Sequence, residues 1–478
     1  MRLASSPIKQ PLKFYGDPRY GRIMPMPMLP GWKAGCSFLL PLFLLSQPLL
    51  SQTQPAPAPD QSQAQQAPAA PPKPTNKPQL DRIHAIEKGK GGGMSELAAF
   101  AKDPDPKVRI EAIKAIVKMG GTPSLDPLIP ATKDVDAEVR VRATDGIVNV
   151  YLPGYVSGYF THSVRTVKSW FSARNDSVID EDVTVRPDAA QAITEEINFG
   201  TEMPPRANAA LAAGVLRVKG AVPTLLEALR AKNNDLIFES LIALQKIHDP
   251  SAGPGVGFLV RDLDERTQVT ALQTVGVLGS REAAPDVRYA ITNARNLKIR
   301  RAAVSALAML AIPEDRPLFK QYVMNGDPEL RTAALEGLGR LREPEDTPTL
   351  QTSLDEANAD WRIHLGAAFA LVYEGNVSTD EFSPLLYLVE NLNSRQRDDS
   401  ANAYLRELMH HEDVRKAIPK TIEEASRSSK IALCWIFASS HSPDLLPALT
   451  QLARDPDAEI STAAKRASSV IQRPRQTP

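Results

Sequence analysis

From residue 80 onward, apolar side chains recur with the period of a helix rather than that of a strand. In "DPELRTAALEGLGRLR" (Asp327 to Arg342), the residues Leu330, Ala334, Leu335, Leu338 and Leu341 share one face at i, i+4, i+5, i+8 and i+11. "DPKVRIEAIKAIVKMG" (Asp105 to Gly120) and "DAEISTAAKRASSVIQ" (Asp457 to Gln472) repeat the pattern. The polar residue that opens this segment recurs at Asp105, Asp136, Glu202, Asn233, Asp264, Asn296, Asp327, Asp360, Asn393, Ser426 and Asp457. Successive gaps are 31 to 33 residues, apart from the 66 between Asp136 and Glu202. A fixed period of this size marks a stacked repeat array.

Each unit reads as two helices. A side chain such as Asp327 is placed to accept hydrogen bonds from the free amides of a first helical turn, and Pro328 fits the first helical position because its missing N–H needs no partner there. A second set of prolines, Pro223, Pro254, Pro285, Pro317 and Pro348, opens the preceding helix of each unit. Small residues such as Ala334 and Ala368 let helices of neighbouring units approach closely. Almost nothing alternates with period two. The fold expected is all-α, an α-solenoid of about 11 stacked helix pairs.

The pattern D-P-x-x-V/L-R-x-x-A, as at Asp327–Ala334 and (with Ile363 and His364) Asp360–Ala367, resembles short HEAT repeats. The likeness extends over roughly residues 80–478, and the period is similar to that of the phycobilisome-lyase HEAT-like subclass. It implies second helices that line a concave face and an array that works as a docking surface. It also implies one enzymatic alternative, a bilin-lyase-like activity, which needs a cytoplasmic chromophore.

That alternative conflicts with the N-terminal region. "FLLPLFLLSQPLL" (Phe38 to Leu50) is apolar for the length of a signal-peptide core and too short for the ~20 residues that span a bilayer. It follows Lys33, and Met26 or Met28 is a candidate start. Cys36 precedes the apolar run, where a lipobox cysteine would follow it. Residues 1–52 are therefore expected to act as an extension with a signal peptide, or as a signal anchor that holds the protein at the membrane. The body is expected outside the cytoplasm, periplasmic or extracellular. Residues 53–79, rich in Pro, Ala and Gln, lack the large apolar groups a core needs and read as a linker.

Charge narrows the partner. Residues 1–52 hold six bases and one acid, which leaves 50 basic and 55 acidic residues in the remainder. Nucleic-acid binding normally requires a basic excess, so no nucleic-acid partner is expected. After the signal, Cys434 is the one remaining cysteine, in an apolar helical run.

Candidate chemistry is sparse. Arg109, Arg140, Arg206, Arg300 and Arg331 share one repeat position and read as ties to turn carboxylates of adjacent units rather than as a ligand ladder. "HHED" (His410 to Asp413) could ligate a metal but stands alone, and "EKGKGGGMS" (Glu87 to Ser95) lacks the Gly-Lys-Ser/Thr ending of a phosphate loop. No catalytic, cofactor or metal site is expected.

One segment breaks the rhythm. "YLPGYVSGYFTHSVRTVKSWF" (Tyr151 to Phe171) has six aromatic residues and no carboxylate, and the acidic "DSVIDEDVTV" (Asp176 to Val185) follows it. The expected organisation is repeats over 80–150, an aromatic and basic insertion over 151–186, and repeats over 187–478. Val156, Phe160, Val164, Val167 and Phe171 would share one face of an amphipathic helix. Its partner-binding residues are expected to be Tyr155, Tyr159, Phe160, Arg165, Lys168 and Trp170, facing a protein or an anionic membrane surface. The competing reading is a degenerate repeat with its aromatics in the core.

Overall fold

A computed structural model describes residues 76–156, 178–179 and 183–473. The chain divides into Met1–Pro72 and Lys73–Pro478, and every described residue belongs to the second unit. Every regular element among the described residues is helical.

Helix α1 (Lys77–Glu87) begins three residues inside the segment read as linker and packs on α3. Eleven units follow among the described residues, ten of them pairs of α-helices. Units 1 to 4 are α2 (Met94–Phe100) with α3 (Pro106–Met119), α4 (Leu125–Ala131) with α5 (Ala137–Tyr151), α6 (Pro187–Phe199) with α7 (Met203–Val215), and α8 (Val222–Ala228) with α9 (Asn234–Ile247). Unit 5 has 3-10 turns before α10 (Glu265–Val277), and unit 6 joins α11 (Ala284–Thr292) to α12 (Leu297–Leu310). Units 7 and 8 are α13 (Arg316–Val323) with α14 (Pro328–Leu341), and α15 (Thr347–Asp355) with α16 (Trp361–Glu374). Units 9 to 11 are α17 (Pro384–Asn391) with α18 (Asp398–Leu408), α19 (Glu412–Ala417) with α20 (Arg427–Ser440), and α21 (Leu446–Leu452) with α22 (Ala458–Gln472). Second helices pack in a row, each on the next, which makes the array an α-solenoid.

The polar residues of the repeat cap their helices for the expected reason. Asp105, Asp136, Asn233, Asp264, Asn296, Asp327, Asp360, Ser426 and Asp457 each accept a hydrogen bond from a first-turn amide. An aspartate two residues earlier steadies the turn: Asp134 accepts from the Asp136 amide at 2.8 Å, as Asp103 does from Asp105 and Asp262 from Asp264.

Three expectations fail here. Glu202 makes no side-chain cap; its longer arm turns instead toward Arg140, at 3.5 Å. Asn393 caps nothing, because a turn built on the Ser394 carbonyl intervenes and α18 starts after Arg397. Pro254 lies in a 3-10 run, Pro250–Gly255, followed by a second, Gly257–Arg261. Gly253, Gly255 and Gly257 lower helix propensity there.

Helix α5 packs directly on α7, so successive second helices meet across the 66-residue gap. The apolar core runs from Ile83 to Leu371 as one cluster and from Leu365 to Ile471 as another, and α16 supplies a face to each.

Candidate functional site

The insertion leaves and rejoins the array at two pinned points. At its exit the Asn149 side-chain oxygen accepts from the Gly154 and Val156 amides, each at 3.2 Å, and Val156 is buried. At its return the Ile179 amide donates to the Val215 carbonyl at 2.9 Å, and Ile179 is buried. The Arg186 amide then donates to the Tyr151 hydroxyl at 2.8 Å, and its guanidinium pairs with Asp126 and Asp188 at 2.8 and 2.7 Å. The bond between the Arg186 amide and the Tyr151 hydroxyl thus joins the last residue of the insertion to its first.

Of the six partner-binding candidates, Tyr159, Phe160, Arg165, Lys168 and Trp170 lie outside the described residues. The apolar face proposed for Phe160, Val164, Val167 and Phe171 lies there too. Tyr155 is half-buried against the hydrophobic core. Part of its ring therefore belongs to the base of the insertion.

The stack closes beneath these anchors. Arg140 of α5 pairs with Glu196 of α6 at 3.1 Å, with both side chains nearly inaccessible, and donates to the Asp134 carbonyl at 2.8 Å. Asn208 of α7 donates to Asp145 of α5 at 3.0 Å, and Lys133 pairs with Glu195 at 2.7 Å. Burial pushes the Glu196 carboxyl above the usual range, with Arg140 opposing that shift.

A second feature is a groove of about 380 Å³ across α10, α12, α14, α16 and α18. Its lining includes Gln273, Ser305 and Glu336, each nine residues after its cap (Asp264, Asn296 and Asp327), and Trp361 beside Arg362 at 4.5 Å. The cations along it are already paired: Lys298 with Glu265 at 2.9 Å, Arg301 with Asp327 and Glu329, and Arg362 with Asp360 at 3.1 Å. The groove thus presents paired charges, neutral polar groups and an aromatic surface.

The arginine series ties adjacent units through carboxylates at Arg109, Arg140 and Arg331, whereas Arg206 holds a backbone carbonyl of its own unit. Arg109 forks onto Asp134 of the next unit at 2.7 and 2.8 Å, Arg140 pairs as above, Arg206 donates to the Ile197 carbonyl at 2.8 Å, and Arg331 pairs with Glu356 at 2.7 Å. Arg300 is the exception; Arg301 bridges to the next unit in its place. In "HHED", His411 faces Arg342 and Tyr373 while Glu412 pairs with Lys416. Among the described residues, no three His, Cys, Asp or Glu side chains gather as a metal site. Burial pushes the Cys434 thiol up to about 12. Gly89, Gly91 and Gly92 take positive φ in the turn between α1 and α2, a backbone only glycine adopts readily.

The row of paired helices and the capped inter-helix turns define a helical-repeat solenoid. The HEAT repeat family model matches two stretches of this array, residues 87–147 and 290–371. No curated protein matches the chain. Among solved structures, the chain is similar to the complex of CpcE and CpcF of phycocyanin lyase from Nostoc sp. PCC7120, at 18% identity over 61% of this chain and 91% of that one, with a TM-score of 0.30. It is also similar to human deoxyhypusine hydroxylase, at 18% identity over 53% of this chain and 96% of that one (TM-score 0.27). A third likeness is to Kap121p bound to Nup53p, at 12% identity over 84% of this chain and 50% of that one (TM-score 0.33).

Proposed function

We propose that this protein is an exported, non-catalytic HEAT-repeat scaffold that captures a protein partner through its 151–186 insertion. A HEAT solenoid is an interaction-scaffold architecture, and its repeats specify fold far more than ligand. The observation that supports the finer reading is the direct packing of α5 on α7. A degenerate repeat would stand between those helices, and its loss would break the stack. The array closes between α5 and α7 without a further helix pair, which supports giving the 151–186 segment a role other than that of a repeat.

The test is excision. Replacing residues 157–177 with a Gly/Ser bridge that preserves both pinned points is expected to leave the melting temperature within about 2 °C and to abolish capture of a partner identified with the intact protein. A cooperative loss of the α5–α7 region in the excised protein would favour the degenerate repeat. Arg165→Glu with Lys168→Glu is expected to weaken the same capture without changing stability. If the double variant retained the protein partner but no longer bound phosphatidylserine vesicles, the membrane-surface alternative would replace the protein partner.

Export rests on Phe38–Leu50. Among the described residues, no helix is long and apolar enough to cross a membrane. A reporter that works only outside the cytoplasm, fused after Gln79, is expected to be active and to fall silent when Phe38–Leu50 is deleted. Unchanged activity in the deletion would overturn the export reading.

A further inference from the structure

In a solenoid each unit ordinarily touches only its neighbours. Here α14 of unit 7 reaches past α16 to unit 9. Arg340 Nε and Nη2 donate to the two carboxylate oxygens of Glu407, both at 2.8 Å. Arg340 Nη1 donates to Glu336 at 3.1 Å, and the Tyr404 hydroxyl donates to the other oxygen of Glu336 at 2.5 Å. Beneath these bonds lies Phe369 of α16, with the Arg340 guanidinium 4.8 Å from its ring centre and the Tyr404 ring stacked on it at 4.7 Å. A parallel contact lies alongside: Arg342 meets His411 Nδ1 at 2.7 Å, over the Tyr373 ring. The bonded pairs are 67 to 69 residues apart, about two repeat lengths.

The position of this cluster matters as much as its chemistry. It spans α16, where the apolar core passes from one cluster to the other. Apolar packing is therefore divided between two cores at the place where side chains bridge non-adjacent units. The Arg340 side chain is only 6% exposed and that of Glu336 13%, unlike the solvated ion pairs common on helix surfaces. The Glu407 end is more open, at 37% exposed, but forked and stacked on the buried Phe369 ring such a network still restricts geometry, since its groups lose partners if the helices separate.

We propose that Arg340, Glu336, Glu407 and Tyr404 form a curvature clamp that ties unit 7 to unit 9, so that α14, α16 and α18 open as one block. Glu336 and Tyr404 also line the end of the groove, so the clamp holds that end in its present shape. Burial and the neighbouring Glu336 carboxylate push the Tyr404 phenol well above its ordinary value, which keeps it a hydrogen-bond donor across the physiological range.

Hydrogen exchange on the full chain tests this. The three helices of the intact protein are expected to exchange through a common opening. Glu407→Gln, two units away from α14, should speed exchange in α14 and α18 together by about tenfold and leave α3 and α5 unchanged. The double variant Arg340→Met with Glu407→Gln should exchange little faster than Arg340→Met alone, because Glu407 acts through Arg340, which also holds Glu336. Tyr404→Phe removes a single hydroxyl and should act in the same direction by about threefold, which provides a reading if the charge variants fold poorly. Faster exchange confined to α18 in both Glu407→Gln and Tyr404→Phe would overturn the clamp, as would multiplying single effects in the double variant.

Discussion

Gly339→Ala is expected to destabilise the protein by about 2 kcal/mol, although the same change in an exposed helix interior normally stabilises by roughly 0.5–1 kcal/mol. Gly339 lies in α14 against α16. A Cβ built there falls 2.4 Å from the Ala370 Cα, 2.5 Å from its Cβ and 2.9 Å from its carbonyl oxygen. Two of those three atoms are backbone, so no rotamer change relieves the clash and the helices must move apart. Overpacking of this kind costs about 1–3 kcal/mol even where side chains can adjust. Gly214 meets the Ala243 Cα at 2.6 Å in the same way between α7 and α9. Gly326, with nothing within 4 Å of its built Cβ, is the control and should be nearly neutral on replacement. Urea denaturation followed by circular dichroism measures both. A midpoint for Gly339→Ala equal to or above that of the parent would show that the helix contact is looser than described.

Residues that act within one turn of their own position were the readable part of this chain. A capping side chain must be short and must precede its helix, so Asp, Asn and Ser at a 31-residue period announce helix starts without any knowledge of the fold. The failures follow from the same rule. Glu202 has the right period but a side chain too long to cap, and it is drawn to Arg140. At Pro254, three nearby glycines outweighed the helix-opening signal of the proline. The groove is not legible in the apolar stripe, which reports the buried face, because it is lined largely by the residues between those positions. The signal was present at the ninth residue after each cap (Gln273, Ser305 and Glu336), and it appears only when units are aligned on their caps. Arg340 and Glu407 are different. They are 67 residues apart, and nothing local in either helix marks them as partners.

Arg140→Met is expected to carry the largest cost, on the order of 3 kcal/mol, because it strands a buried carboxylate rather than merely removing a bond. The Arg140 and Glu196 side chains are 5% and 6% exposed. Without the guanidinium, Glu196 must ionise with little solvent or take up a proton, and burial already raises its carboxyl above the ordinary range. Glu196→Gln should cost less, about 1 kcal/mol, because Arg140 keeps the Asp134 and Val135 carbonyls and lies 3.5 Å from Glu202. The double variant Arg140→Met with Glu196→Leu should regain most of the loss, since replacing both members of a buried pair by apolar groups is often close to neutral. A ligand-binding ladder predicts otherwise: Arg140→Met would then weaken binding and leave stability largely intact. The comparison also bears on the insertion, because this pair joins the two helices that flank it, α5 and α6. If the double variant is stable and still captures the partner while the excised protein does not, recognition lies in the insertion and the arginine belongs to the frame. A loss below about 0.5 kcal/mol for Arg140→Met, or no recovery in the double variant, would remove the pair from the forces that close the array.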